Sequence, residues 1–326
     1  MIEILSGGIL STVQDLGRYG YRQYGVPISG AMDLYALRLA NILVGNNEDA
    51  AGIEVTFYGL KLMSTEDTWV AITGGDLSPQ KNEKPVPMWR SICLKKNEVL
   101  SFRGLRSGFR AYMAVQGGFD IPLLMNSRST SIKAAFGGTG GALKTGDRLK
   151  TGHSFAGGKM QEKMIPDQLI PLYNTQNELR VVLGPQADYF PSEIRELFLN
   201  SEYTITPQSD RQGYRLTGPA LKHIRSHDVI TEAVWPGAVQ IPGDGLPIIL
   251  LSDAQTTGGY PKIASVISVD IDKLGQAKPS DKIRFKSVTL EESVHLLREQ
   301  EKRVKEIKNL MEAQGEKFAG LSSCRG

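Results

Sequence analysis

The chain has 326 residues, 40% hydrophobic and 22% charged, with a formal net charge of +3. That length accommodates two domains or one large β-rich one, and so small a positive excess argues neither for nucleic acid nor for an acidic membrane surface as partner, and neither is expected. No apolar run reaches the ~18 residues a membrane span requires, the N-terminus lacks the basic and apolar regions of an export signal, and the two cysteines, Cys93 and Cys324, give neither a disulfide framework nor metal-ligand spacing. The simplest reading is a reduced, cytoplasmic protein.

Glycine and proline, 35 and 16 in number, punctuate the chain at short intervals. Short β-branched runs lie between them at 69–73, 111–115, 179–183, 203–206, 248–251 and 263–267. Many short strands with tight turns predict a mainly β sandwich or barrel rather than alternating βαβ units. Three helices are expected. Residues 31–44 carry apolar positions at helical spacing before a Gly45-Asn46 stop, with Ser29 or Gly30 as N-cap. Residues 191–198 form a shorter candidate. Thr289 and Glu292 read as a capping box opening a helix with a Leu290, Val294, Leu297, Val304, Ile307, Met311 stripe, ending near Gly315 before a frayed tail. The polar, glycine-rich stretch 151–176 reads as a linker, which gives an N-terminal half with one helix (1–160), a second half (175–286) and a C-terminal helix with tail (287–326). Thr145-Gly-Asp-Arg-Leu149 and Pro279-Ser-Asp-Lys-Ile-Arg-Phe285 end the halves alike, a hint of duplicated architecture.

Four polar segments recur in loop contexts. The first is Ser11-Thr-Val-Gln-Asp-Leu-Gly-Arg18, followed by Gly25 to Asp33. The second is Asn126-Ser-Arg-Ser-Thr130, leading to Gly137-Gly-Thr-Gly-Gly141. The third is Gln208-Ser-Asp-Arg-Gln-Gly213. The fourth is Ser252-Asp-Ala-Gln-Thr-Thr-Gly-Gly-Tyr-Pro-Lys262, placed between the apolar runs 247–251 and 263–269 and preceded by Val239-Gln-Ile-Pro-Gly-Asp-Gly245. Polar groups on glycine-bearing loops between buried strands are where a rigid scaffold presents chemistry. The arginine fork suits carboxylate or phosphate oxygens. Taken one at a time, each arginine–acid pair, such as Asp15 with Arg18, is equally well a local turn staple.

Several chemistries are set aside. Gly140-Gly-Ala-Leu-Lys-Thr145 has the end residues of a P-loop at the wrong spacing. No Gly-x-Ser-x-Gly elbow, His-Glu-x-x-His, Cys-x-x-Cys or EF-hand loop occurs. The histidines, His153, His223, His227 and His295, lie outside the polar segments, and His223 with His227 lacks a third ligand, so no metal is expected and proton transfer falls to carboxylates, Lys262 or water.

Together with Ser29-Gly-Ala-Met-Asp33, Ala40-Asn-Ile-Leu-Val-Gly-Asn46, Ile53-Glu-Val-Thr56, Ser127-Arg-Ser-Thr130 and Ser209-Asp-Arg-Gln-Gly213, the first and fourth segments resemble the allophanate hydrolase subunit 2 family, also labelled biotin-dependent carboxyltransferase, over residues 1 to 286. Gln212, where an apolar residue is expected, and Ser280, where glycine is expected, depart from the family pattern. The resemblance implies two cyclophilin-like β-barrel domains plus a C-terminal helix. It implies the C-subunit role in an ATP-dependent 5-oxoprolinase that opens 5-oxoproline to glutamate, with ADP and phosphate released. The partners would be the B subunit (a KipI-like, allophanate hydrolase subunit 1 protein) and the A subunit, in a hetero-oligomer. ATP is the cofactor of the complex, with no binding site readable here. Two other readings belong to the same group: carboxyl transfer from biotin, which another protein would have to carry because no Ala-Met-Lys-Met site occurs, and a KipA-like binding protein that antagonises a KipI-type kinase inhibitor.

On residue type and loop position, Asp33 and Asp253 are the candidate acid–base groups and Lys262 the group that stabilises developing negative charge. Arg18, Arg128 and Arg211 are assigned to anions. Gln14, Ser29, Thr130, Gln240, Thr256, Gly258, Gly259 and Tyr260 are assigned to substrate positioning. This assignment expects the stretches around 18, 33, 128, 211 and 262 to converge on one concavity.

Overall fold

The structure is a computed structural model that describes residues 1–152, 161–173 and 176–317. His153, Cys324, Gly157-Gly158 of the expected linker and the expected frayed tail from 318 onward lie outside the described residues. The chain divides into two units that are discontinuous in sequence. The first is Met1–Arg18, Asp33–Tyr173 and Glu301–Gly326, and the second is Tyr19–Met32 and Asn174–Gln300.

The protein is mainly β, with four α-helices among the described residues. The six β-branched runs lie, to within one residue at the C-terminal end, in strands Thr68–Gly74, Arg110–Val115, Gln176–Leu183, Glu202–Ile205, Ile248–Leu250 and Lys262–Val266. In the first unit the strands pair as two sheets. One runs Arg148–Leu149, Ile2–Gly7, Leu60–Ser64, Val99–Phe102, Pro79–Lys81, Lys84–Pro85. The other runs Leu10–Gln14, Gly52–Thr56, Arg110–Val115, Thr68–Gly74, Arg90–Leu94. Their apolar positions share one core that includes Ile2, Ile4, Ile53, Val70, Leu100 and Met113, all fully buried. Inward-facing residues from two sheets filling one interior is the packing logic of a sandwich or barrel.

The second unit contains a closed barrel of seven strands, in the order Gln176–Leu183, Lys262–Val266, Ala238–Gln240, Ile248–Leu250, Gly213–Thr217, Glu202–Ile205, Lys282–Ser287. Closure comes from a parallel pairing of Lys282–Ser287 with Gln176–Leu183, in register from Gln176 with Lys282 to Val181 with Ser287. Closing the ring removes both sheet edges. The barrel interior holds Leu179, Val181, Tyr203, Val239, Ile249, Ile263 and Phe285, and Phe198 stacks on Phe285 at 4.3 Å between ring centroids. A separate two-stranded ribbon pairs Glu232–Ala233 with Thr257–Gly258.

Helix α1 (Leu34–Leu43) starts three residues later than its periodicity suggests. Ser29 and Gly30 have φ of 56° and 86°, left-handed values that no α-helix start continues. Asp33 is the N-cap instead, and its Oδ1 accepts the Ala36 N–H at 2.8 Å. Helix α2 (Ser192–Asn200) matches its expectation closely. Helix α3 (Ser268–Gln276) was not legible, because only nine residues with acids and a glycine offer little apolar periodicity. It is held by Asp270, fully buried, which accepts from Arg180 Nε and Nη2 at 2.9 and 2.6 Å. Helix α4 (Leu290–Lys317) opens with the expected Thr289 cap, whose Oγ1 accepts the Glu292 N–H at 3.1 Å. Its stripe divides: Val304, Ile307 and Met311 are buried, while Leu290, Val294 and Leu297 are exposed. No helix of the described residues is long and apolar enough to cross a membrane.

The duplicated turn is present in both units. Lys144 N–H donates to Asp147 Oδ2 at 2.8 Å, and Lys278 N–H donates to Asp281 Oδ2 at 3.0 Å. In each, the aspartate N–H returns to the lysine carbonyl at 3.1 Å. The residue before the aspartate is left-handed in both, Gly146 at φ 91° and Ser280 at φ 76°. Glycine takes that conformation without penalty, whereas a residue with a Cβ gives up about 1–2 kcal/mol. Ser280→Gly is therefore expected to stabilise the protein by about 1 kcal/mol in urea unfolding, and a destabilised variant contradicts this reading of the turn.

Candidate active site

Asp33, Gln14, Arg18, Arg128 and Thr130 belong to the first unit, and Ser29, Arg211, Gln240, Asp253, Thr256, Gly258, Gly259, Tyr260 and Lys262 to the second.

In the first unit the loop after strand Leu10–Gln14 is tied to the 124–131 loop by Asp15. Its carboxylate accepts from Ser127 Oγ at 2.8 Å, from Ser129 Oγ, from the Arg128 N–H at 2.5 Å and from the Gly17 N–H at 2.8 Å. A carboxylate with that many donors is held in one orientation. Arg18 is fully buried and fastens the same loop, with Nε donating to Leu124 O and Nη2 to Ser129 O, both at 2.9 Å. Its guanidinium lies 4.8 Å from the centre of the Phe136 ring. Asp15 and Arg18 thus do not staple each other; both staple the 124–131 loop. Arg128 is only partly buried, and its Nε donates to Ile121 O at 2.7 Å. Its two Nη atoms have no protein partner among the described residues, so its backbone and Nε are fixed while the outer edge of its fork is presented. Nearby in sequence and contact, Gln14 Nε2 donates to Thr130 O and Thr12 Oγ1, both at 3.0 Å. Gln14 Oε1, Thr130 Oγ1 and Ser11 Oγ are buried without a protein partner. Such groups usually serve a ligand or ordered water.

Asp33 is engaged elsewhere in that unit. Besides capping α1 it accepts from Tyr173 Oη at 3.0 Å, and its own N–H donates to Tyr112 Oη at 2.8 Å. Tyr112 in turn donates to Glu54 Oε2 at 2.8 Å, and Glu54 lies 3.6 Å from Arg110. Burial, joined by the charges of Glu54 and Asp33, pushes the Tyr112 phenol well above its usual value. This buried chain fixes the start of α1 on the sheet. Its clue in the sequence was Glu54, an acid inside the apolar strand Ile53-Glu-Val-Thr56.

In the second unit Arg211 and Asp253 form a buried pair, each side chain 4% exposed, at 2.9 Å from Nε to Oδ2. Arg211 Nη2 also donates to Gly30 O at 2.6 Å, the Ser29 N–H donates to Ser252 O at 2.9 Å, and the Asp253 N–H donates to Arg211 O at 2.9 Å. The pair thereby holds three loops at one place, and the Asp253 carboxylate is spent on charge neutralisation.

Lys262 sits differently. Its side chain is 1% exposed, yet its partner Glu232, on the two-residue strand, is 42% exposed. Gln186 bridges them: its Oε1 accepts the Lys262 N–H at 3.1 Å, and its Nε2 donates to Glu232 Oε1 at 2.6 Å. The Trp235 ring lies 5.7 Å from Lys262 Nζ, and Trp235 Nε1 donates to Ser265 Oγ at 2.8 Å. The Lys262 hydrogen bond holds the Glu232 carboxyl below the ordinary range, against the opposing effect of burial. Gln240, buried beside Gly258, makes a long 3.5 Å contact to Tyr260 O; a Cβ on Gly258 would sit 2.7 Å from Gln240 Nε2, so a side chain there would have to push the Gln240 amide aside. Thr256 O accepts the Val234 N–H at 3.1 Å, Gly259 O accepts the Val229 N–H at 2.9 Å, and Tyr260 is 40% exposed. The structure therefore gathers Lys262, Gln240, Thr256, Gly258, Gly259 and Tyr260 around one loop and ribbon. Gln186, Glu232 and Trp235 complete the cluster, and no pattern in the sequence flagged them, since each lies in a stretch without a motif. His223, whose Nε2 donates to Ile241 O at 3.0 Å, and His227 lie on a non-helical loop, and no group that could hold a metal occurs among the described residues.

A mainly β scaffold with a closed barrel, arginine-pinned loops and a buried lysine beside an accessible carboxylate defines the class. The chain belongs to the carboxyltransferase domain family (subdomains A and B), whose model matches residues 24–287, as the motifs suggested. It is 36% identical to the C subunit of 5-oxoprolinase from Escherichia coli (strain K12) over 303 residues, covering 93% of this chain and 96% of that one. It is also 36% identical to the 5-oxoprolinase C subunit of Haemophilus influenzae over 313 residues, covering 96% of this chain and 99% of that one. Among solved structures it superposes on K. lactis urea amidolyase with a TM-score of 0.88 at 33% identity; 93% of this chain corresponds to 20% of that enzyme, so the chain spans about a fifth of its length.

The Arg211–Asp253 pair yields a direct expectation. Asp253→Asn leaves a buried guanidinium without its counter-charge, and the variant should lose about 3–5 kcal/mol of stability in urea unfolding. A loss under about 1 kcal/mol would mean that the pair behaves like an exposed one.

Proposed function

We propose that this chain is the C subunit of a 5-oxoprolinase that hydrolyses 5-oxo-L-proline to L-glutamate at the cost of ATP. The observation that carries this reading is the end-to-end match to two proteins of that name, with nearly all of each chain covered. The chain would act with a B subunit of the KipI-like type and with the A subunit, in a cytoplasmic hetero-oligomer. The lactam amide is unreactive towards water, so a phosphoryl group from ATP on its oxygen would supply the leaving group, and water would complete the opening to a carboxylate and an amine. ATP enters at the level of the complex, since the P-loop spacing is lacking in this chain.

What the chain's own residues can contribute is anion handling. Arg128 presents an uncommitted fork edge, and Lys262 provides a desolvated ammonium whose effect on a negative charge is larger than in water. Asp33 and Asp253, the acids expected to move protons, are engaged as a helix cap and as a counter-ion. Glu232 is the accessible carboxylate beside Lys262. A second reading, carboxyl transfer from biotin carried by another protein, is favoured by the family description and by the likeness to urea amidolyase. It predicts that avidin blocks the assembled complex.

The test is reconstitution: this chain is combined with the A and B subunits, and glutamate release from 5-oxo-L-proline and ATP is followed while each protein is omitted in turn. All three are expected to be needed. Lys262→Ala or Arg128→Ala should lower turnover by about 10²-fold or more with the fold intact. Full glutamate release by the other two proteins without this chain would overturn the assignment.

A further inference from the structure

The Lys262–Glu232 pair is lopsided in a way that Arg211–Asp253, in the same barrel unit, is not. Arg211 and Asp253 are both buried, so each charge is committed to the other. Lys262 is buried, but its counter-ion stands at the surface, 42% exposed. Glu232 belongs to a strand of two residues that pairs with Thr257–Gly258 alone. A buried ammonium must have a negative partner, because leaving it bare is strongly unfavourable. The acid at the surface is free to be exchanged for another at modest loss, since an exposed carboxylate regains its hydration on leaving.

The surroundings fit a small carboxylate with a compact, partly apolar body. Gln186 Nε2, which now donates to Glu232, offers a second donor beside the ammonium. The Trp235 ring, 36% exposed, lies over Lys262 Nζ, and Tyr260, 40% exposed, stands on the adjoining loop. We propose that Glu232 occupies the place of a substrate carboxylate: Lys262 and Gln186 Nε2 receive the carboxylate of a small cyclic or branched acid, and that acid enters by displacing Glu232. No covalent bond is made or broken in this exchange. Glu232 acts as a built-in competitor that keeps Lys262 paired while the site is empty. On the function proposed above the acid is 5-oxoproline itself, and in this respect the inference rests on that reading.

The experiment is calorimetric titration of the full chain with 5-oxo-L-proline, with acetate, and with 2-pyrrolidone, which has the lactam ring but no carboxylate. Glu232→Gln keeps the side chain's size and its contact with Gln186 while removing the competing charge. It should bind both carboxylates at least 10-fold more tightly than the unsubstituted chain, with 2-pyrrolidone unchanged. Adding Lys262→Met to Glu232→Gln should abolish the gain. Should Glu232→Gln not fold, Glu232→Ala removes the competing charge while leaving Lys262 and Gln186 in place, and should likewise tighten carboxylate binding at least 10-fold. Unchanged or weaker binding of carboxylates by the folded variants, no binding in any protein, or an equal gain for 2-pyrrolidone overturns the proposal. A tighter site for acetate in Glu232→Gln, together with a reconstituted complex that releases no glutamate, would leave the exchange standing and remove 5-oxoproline as its ligand. Glutamate release with no effect of Glu232→Gln on affinity would do the reverse.

Discussion

Burying a cation forces the chain to supply an acceptor or a counter-charge from within, and in this protein that requirement decides where the loops go. Arg18 reaches two carbonyls of the 124–131 loop, Arg211 reaches Asp253 and a carbonyl at Gly30, and Lys262 reaches Glu232. In each case the partner lies far away in sequence, so the side chain acts as a long-range tie. Strand pairing builds the sheets and closes the barrel, but hydrogen-bonded ladders say nothing about the path of a glycine-rich connection. The buried charges do.

The same chemistry divides structural from functional use. A charge whose partner is equally buried is neutralised for good, because separating the two would strand both in a medium that solvates neither. A charge paired with an exposed group can change partners. Arg211 falls in the first class, and Arg18, whose buried guanidinium is spent on the Leu124 and Ser129 carbonyls, is likewise structural. Arg128, held at its backbone and Nε with its outer nitrogens unengaged, and Lys262, covered by an exposed glutamate, fall in the second. Arginine beside hydroxyl and acid residues therefore has two uses in one chain, and both occur within the quoted motifs.

Much of the architecture was legible. Short β-branched runs bounded by glycine and proline named the strands, since β-branched side chains pack well on a buried pleated surface. The resemblance between 145–149 and 279–285 was visible as a weak repeat, and both segments carry the same lysine–aspartate hydrogen bonds. Sequence reasoning placed the α1 cap at Ser29 or Gly30 because it could not see that both adopt left-handed φ. It missed α3, whose stability comes from the Arg180–Asp270 contact rather than from its own periodicity. At the site, the loop from Asp253 to Lys262 stood out because strand ends bearing glycines and polar groups are recognisable. Gln186, Glu232 and Trp235 did not, because each acquires meaning only through a contact across 27 to 76 positions of sequence. Residue type proposed Asp33 and Asp253 as proton carriers; only the pattern of their partners shows how fully they are engaged.

The central claim is that Lys262 is a buried anion receptor whose resident glutamate yields to a carboxylate ligand. A crystal structure of the full chain with 5-oxo-L-proline tests it most directly. The account predicts the ligand carboxylate within hydrogen-bond distance of Lys262 Nζ and Gln186 Nε2, with Glu232 swung to solvent. A ligand seated elsewhere, with Glu232 still on Lys262, would contradict it.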